Sequence, residues 1–354
     1  MKRFFIAAIA LMAMVACSKD DTASVLDTTK KSVSIDITNI LTPTKAVTDT
    51  AGATNVACTK AEDLVFGFCD AAGNLVVAKD INDAVKDPVT GHYVFHAMSQ
   101  KISRLYIIAN GAGASKITKT NAPANYQLAR DLWNVQTPDV EWDEIIVFGH
   151  SSITHLQKDG KDVFCEVEGK KYPLFGATVK VVPNHARLEI SKIACSDLGK
   201  EYKKIALRSM TFAGTFTEVL GDATTGFVFD ATATPAVTSL TAGTGKVWSW
   251  NIKPMITPDL VLIIDALEGN GWRIPDGTAA RTVTVADYKP SGIYATSTNL
   301  NADGFIKEFL PGEIYQLNLT FKELNMHNDS DALCVDVDVQ IAQWVIVPID
   351  PVFQ

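Results

Sequence analysis

Period-two alternation of apolar and polar residues runs through this chain and constrains its fold more than any other feature. The cleanest case lies near the end. Leu333, Val335, Val337, Val339 and Ile341 fall on one face of an extended chain; Cys334, Asp336, Asp338, Gln340 and Ala342 fall on the other. Residues 32–38 have the same design, with Val33, Ile35 and Ile37 on one side and Ser34, Asp36 and Thr38 on the other. Alternate side chains of a strand point to opposite faces, so each segment reads as a strand with one buried face. Residues 64–68 and 75–77 flank the turn signal Asp70-Ala71-Ala72-Gly73-Asn74 and predict a hairpin. Residues 105–109 and 145–148 are continuous apolar runs, as core strands of a sandwich require. Only residues 127–133 suggest a short helix, and long helical periodicity is missing.

The alternation restarts near Gly176. Residues 178–182 and 186–193 are predicted to open a second unit, followed by strands over 205–212, 227–229, 246–252, 260–266 and 314–321. Short strands separated by Gly, Pro, Thr and Asn predict β-sandwiches. A length of 354 residues suits about two domains. The expected fold is therefore all-β, with two tandem sandwich domains over residues 33–177 and 178–354. Hydrophobic residues make up 47% of the chain, enough for sizeable cores.

The N-terminus carries an address. Lys2 and Arg3 precede an unbroken apolar run over residues 4–15, then Ala16 and Cys17. That order reads as a secretory signal. The cysteine after a small residue resembles a bacterial lipobox, with Met14 in place of the commoner leucine. The resemblance implies removal of residues 1–16 and lipidation of Cys17. Several acyl chains would hold the protein stably on a membrane, whereas the apolar run is too short to span one. Ser18-Lys19-Asp20-Asp21 resembles an acidic signal that directs lipoproteins to the outer surface, and residues 17–32 read as a polar, lipidated tether.

Formal charge is -8, and loss of Lys2 and Arg3 with the signal takes it to -10. Such a surface gains no counterion-release energy from nucleic acid, so nucleic acid is not an expected partner. Beyond Cys17 five cysteines remain, Cys58, Cys69, Cys165, Cys195 and Cys334. An odd number cannot all pair within one chain. Export permits disulfides, and Cys58 with Cys69 is the nearest pair, but buried free thiols are the expected state.

Catalytic patterns fail on inspection. Gly149-His150-Ser151-Ser152-Ile153 resembles a nucleophile elbow, but Ile153 stands where the tight turn needs a second glycine. Residues 111–116 follow a strand, as a phosphate loop would, without the spacing or the third glycine. His150, His155 and Cys165 match no standard zinc spacing. Trp248, Trp250 and Trp272 could stack on a sugar or pack in a core. No catalytic residue, metal site or cofactor is expected.

Several segments, in order, resemble the fimbrillins of type V pili. They are the lipobox and tether, the first strand ending in Leu41-Thr42-Pro43-Thr44-Lys45-Ala46, and the apolar strand ending in Ala109-Asn110. Next comes Asn184-His185-Ala186-Arg187-Leu188-Glu189-Ile190, then the closing strands Gly312-Glu313-Ile314-Tyr315-Gln316-Leu317 and residues 339–347. The resemblance implies transthyretin-like sandwiches and a lipoprotein precursor on the outer surface of the outer membrane. It implies that an extracellular trypsin-like protease removes the first strand, whose inward residues are Val33, Ile35 and Ile37. A neighbour's C-terminal strand, with Leu333, Val335, Val337, Val339 and Ile341 inward, then fills the groove. Repetition gives a head-to-tail homopolymer in an extracellular fimbria. The implied cut lies between Lys45 and Ala46. The family's cut usually follows arginine, and this chain has none between Arg3 and Arg104; Lys60 offers a second Thr-Lys-Ala. An uncut chain would be an anchor subunit. A tip adhesin, or a glycan-binding lipoprotein recognising host or bacterial surfaces, is the other alternative.

Overall fold

The computed structural model describes residues 25–38, 63–110, 116–134, 145–200, 202–212, 216–219, 227–241, 248–269, 281–285, 289–290, 300–322 and 335–343. Its longer strands are β1 (Lys30–Ile37), β2 (Val65–Cys69), β3 (Leu75–Asp80), β4 (Tyr93–Ser99), β5 (Arg104–Ala109), β6 (Val147–Ser152) and β7 (Lys170–Val179). They continue with β8 (Ala186–Ser196), β9 (Tyr202–Phe212), β10 (Trp248–Ile252), β11 (Leu260–Gly269), β12 (Arg281–Val285), β13 (Glu313–Lys322) and β14 (Val335–Gln343). Among the described residues one α-helix, α1 (Tyr126–Asn134), interrupts the strands. Among the described residues no helix is long and apolar enough to cross a membrane.

The strands form two pairs of sheets. In the first pair, one sheet carries β7, β1 and β4 side by side, and the other runs β6-β5-β2-β3. Inward side chains of both sheets meet in one core, including Val33 and Ile35 from β1, Phe95 from β4, Phe66 from β2, and Leu105 and Ile107 from β5. In the second pair, one sheet runs β8-β13-β14, with β10 on the other side of β8, and the other runs β9-β11-β12. Leu188, Ile190, Leu317, Ile205, Leu207 and Leu262 join across that gap. Burial of alternate residues from two facing sheets is how a sandwich excludes water, and the all-β expectation holds.

Local chemistry explains the elements. The predicted hairpin is present as β2 and β3. Its turn is closed by Asp70, whose Oδ1 accepts from the backbone N–H of Ala72 and of Asn74, both at 2.9 Å. Helix α1 starts where Asn125 Oδ1 accepts from the N–H of Leu128 at 2.8 Å, an N-cap. Ala129 of that helix packs with Tyr106 and Ile108 on the outer face of β5. Covered on both faces, β5 must be apolar throughout, which is why its sequence shows no alternation. Gly67 serves the same layer: a Cβ there would lie 2.0 Å from the Tyr106 ring.

The structure alters two expected boundaries. The tether predicted over residues 17–32 is shorter, because Val25–Leu26 already pairs with Lys170–Lys171 and β1 starts at Lys30. The division predicted at 177/178 falls inside β7, which pairs with β1 through Val179. Residues 178–179 thus belong to the first sandwich, and Val182–Pro183 pairs with β6 of that sandwich. Pairing passes to the second set at Ala186. The junction is tied to both sides. The Asn184 N–H donates to Ile146 O at 2.9 Å, and the Gly312 N–H donates to His185 O at 2.9 Å.

Candidate assembly site

The first strand is built into the middle of its sheet. β1 pairs in parallel with β7, from Ser32 opposite Leu174 to Ile37 opposite Val179, and antiparallel with β4 on its other side. Both backbone edges are therefore engaged. Val33 and Ile35 have no exposed surface and Ile37 retains 7%. Their β-branched side chains suit the pleated, half-buried surface, and all three belong to the first core.

The other face of β1 is polar and also contacted. Ser32 is fully buried, and its Oγ lies 3.1 Å from His96 Nδ1. Cys165 Sγ lies 3.6 Å from the same nitrogen. Burial lowers the imidazole pKa of His96 and raises the thiol pKa of Cys165. Ser34 Oγ lies 3.3 Å from His92 Nδ1, and His92 Nε2 lies 3.9 Å from Asp36 Oδ1. A cavity of about 410 Å³ opens beside these groups, lined in part by Ser34, Asp36, His92, Thr154, Cys165 and Thr178.

At the start of the strand, Lys31 is only 2% exposed. Its Nζ donates to Ile102 O and, at 3.5 Å, to Gln100 O. The same ammonium sits 4.2 Å from the centroid of the Phe175 ring, within cation–π range. The Gln100 side-chain amide donates back to Thr28 O at 3.2 Å and Lys30 O at 2.9 Å. The turn between β4 and β5 thus clasps the chain as it enters the groove. Sequence reading missed this clasp. A lysine pair at a strand start reads as solvated, and the only available signal is that Lys31 shares the parity of Val33, Ile35 and Ile37.

The last strand is held differently. β14 pairs antiparallel with β13 from Val335 opposite Phe321 to Gln343 opposite Glu313. On its other side, among the described residues, Lys289–Pro290 pairs at Asp338 and Val339. Val335, Val337, Val339 and Ile341 lie on this strand, and Leu333 lies outside the described residues, as do Cys17, Lys45 and Ala46.

The remaining candidates separate. Cys58, the candidate partner of Cys69, lies outside the described residues, and Cys69 is a free, buried thiol. Burial pushes the Cys69 pKa up to about 11, with the Asp70 charge adding to the shift. Gly149, His150, Ser151 and Ser152 all lie within β6, with no helix following. His150 packs against the rings of Tyr126 and Phe148, with centroids 4.9 and 5.8 Å away. Gly149 is needed for packing, since a Cβ would lie 2.4 Å from Lys180 O. Among the described residues no three His, Cys, Asp or Glu side chains converge as metal ligands.

No protein-family model matches the chain, and no curated protein matches it. Among solved structures, a fimbrilin from Porphyromonas gingivalis W83 is similar at 12% identity, covering 90% of this chain and 99% of that one, with a TM-score of 0.46. A tip fimbrial protein from Porphyromonas gingivalis, truncated at its C-terminus, covers 89% and 100% at 12% identity, with a TM-score of 0.41. A fimbrial assembly protein from Parabacteroides distasonis ATCC 8503 covers 89% and 98% at 11% identity, with a TM-score of 0.37.

Proposed function

We propose that this chain is a structural subunit of a cell-surface fimbria. It is exported as a lipoprotein precursor through Cys17 and cut by an extracellular trypsin-like protease between Lys45 and Ala46. It then joins other pilin subunits head to tail through the strand over residues 333–341. The mature form lies in the extracellular fibre, and the precursor on the outer membrane. The tether begins at Cys17, the first sandwich ends near Pro183, and the second begins near Ala186. No catalytic role is assigned.

One observation carries the reading: β1 is a central strand whose removal would leave two unpaired ladder edges above an apolar floor. Burial of each of Val33, Ile35 and Ile37 contributes about 1.5–3 kcal/mol, and backbone groups left unpaired away from water add to the cost of an empty groove. Such a groove demands another strand. Strand addition with side chains on alternate positions is a general way to meet that demand. The segment over residues 333–341 has the alternation such a donor needs and is the strand this chain would lend to a neighbouring subunit. The lipobox and the ordered resemblance to fimbrillins supply the cellular setting.

Sequencing the N-termini of purified surface fibres tests the processing step, with Lys45→Gln and Cys17→Ser beside the unaltered chain. The expected start is Ala46. Lys45→Gln should retain the first strand and assemble poorly, and Cys17→Ser should lose acyl label and membrane association. Fibres that begin uniformly at Cys17 would instead establish an uncut anchor subunit. That second reading is favoured by the clasp on Lys31, which grips the first strand firmly.

A further inference from the structure

We propose that the groove filled by β1 ends in a cation-recognition subsite, and that a strand replacing β1 must deliver a lysine or arginine to it. The inference rests on the proposed removal of the first strand only for its second half. The subsite itself is a property of the intact chain. Its parts are the carbonyl oxygens of Gln100 and Ile102 and the face of the Phe175 ring, which together surround the Lys31 ammonium.

None of these parts belongs to β1. Phe175 is on β7, and Gln100 and Ile102 are in the turn joining β4 to β5. That turn is held by the Ile102 N–H, which donates to Ser99 O at 3.2 Å, and by the Ile102 side chain, which is 1% exposed in the first core. The subsite therefore outlasts the strand that fills it. Two carbonyl dipoles and an aromatic face all present negative potential, which suits an ammonium or guanidinium and repels a carboxylate. An apolar side chain there would take the Lys31 donor away from the buried Ile102 carbonyl and the partly buried Gln100 carbonyl. The occupant sits at the register opposite Met98.

This chemistry discriminates between partners. Residues 323–354, which hold the strand over 333–341, contain neither lysine nor arginine. The C-terminal strand of a second copy would fill the apolar part of the groove and leave the cation subsite unmatched. The fitting partner is a strand from a different polypeptide, with alternating apolar residues and a basic residue at the Met98 register. Copies of this chain would then alternate with, or be followed by, another subunit type.

Two measurements test the two halves. In the intact chain, thermal melts compare Lys31→Arg and Lys31→Met. Arginine should preserve stability, and methionine should lower the melting temperature by several degrees. A Lys31→Met chain as stable as the unaltered one would overturn the subsite. In the chain processed at Lys45, fluorescence anisotropy measures binding of labelled peptides spanning residues 28–40, the same peptide with Lys31→Met or Lys31→Arg, and residues 331–345. The unaltered and arginine peptides should bind alike. The methionine peptide should bind about tenfold or more weakly, the cost of losing hydrogen bonds to a charged group, and the 331–345 peptide should also be weak. Equal binding of the methionine peptide, or tight binding of the 331–345 peptide, would overturn the partner assignment. If no peptide binds, the removable-strand reading itself falls and takes the partner assignment with it, while the melts still decide the subsite.

Discussion

The first and last strands are near twins in sequence and opposites in setting. Both β1 and β14 alternate β-branched residues with short polar ones. β1 is flanked on both edges by long partners and is further gripped at Lys31 and Ser32. β14 has one full ladder with β13, and among the described residues its other edge meets the two-residue segment Lys289–Pro290. A central strand cannot leave without opening two long ladders; a strand near the rim can peel by breaking one long ladder and one short one. The pattern of side chains thus identifies what a strand could replace, whereas its place in the sheet decides which strand must be cut out and which can be lent.

The largest contrast should come from a carboxylate placed in each strand. Ile35→Asp puts a charge at a position with no exposed surface and no partner, a cost of roughly 4 kcal/mol or more. The chain should fail to fold its first sandwich, seen as loss of the cooperative melt. Val337→Asp lies on the rim strand, at the register of Leu319. Its monomer should melt within a few degrees of the unaltered chain while fibres disappear from electron micrographs. A Val337→Asp monomer as damaged as Ile35→Asp would make β14 an indispensable part of its own sandwich and end its assignment as donor.

A second contrast uses the polar faces. Ser32 is fully buried with its Oγ on His96, so Ser32→Ala should cost about 1 kcal/mol. Asp336→Asn changes a polar position of the rim strand and should stay within about 0.5 kcal/mol. Chemical denaturation of both variants measures the pair. Equal costs would mean that the two strands are held alike after all.

Much of this was legible from residue order. Period-two alternation located β1 and β14, the turn signal over residues 70–74 located the β2–β3 hairpin, and the unbroken run of residues 105–109 marked a core strand. The division at 177/178 was misplaced because β7 alternates weakly. Its Phe175 and Gly176 are both half-buried, which breaks the period of two in mid-strand. The clasp on Lys31 was illegible for a different reason. It depends on backbone carbonyls of a turn some seventy residues away, and carbonyls leave no trace in side-chain chemistry. Likewise Ser32 reads as an outward polar residue until β4 brings His96 against it. Local patterning encodes strands and faces, but central or rim position is a property of long-range pairing order.

The smallest expected effect concerns acid, and it acts on the first strand alone. His96 Nδ1 faces Ser32 Oγ on β1 and Cys165 Sγ on the strand Phe164–Val167. Burial holds its pKa below the ordinary 6.5. The unfolded chain therefore binds a proton more readily than the folded one, so this group favours folding above about pH 6.5 and loses that contribution as pH falls through the folded value. Protonation would also turn the Nδ1 that meets Ser32 into an obligate donor, a role the Cys165 thiol and the serine hydroxyl can satisfy only in part. Thermal melts at about pH 7 and about pH 5.5, on the unaltered chain and on His96→Gln, isolate the term. The unaltered chain should lose more stability on acidification than His96→Gln, which retains a side chain able to reach Ser32 but cannot titrate. Identical losses in the two would show that acid does not act on the first strand through His96, and would remove this difference between the chain's two ends.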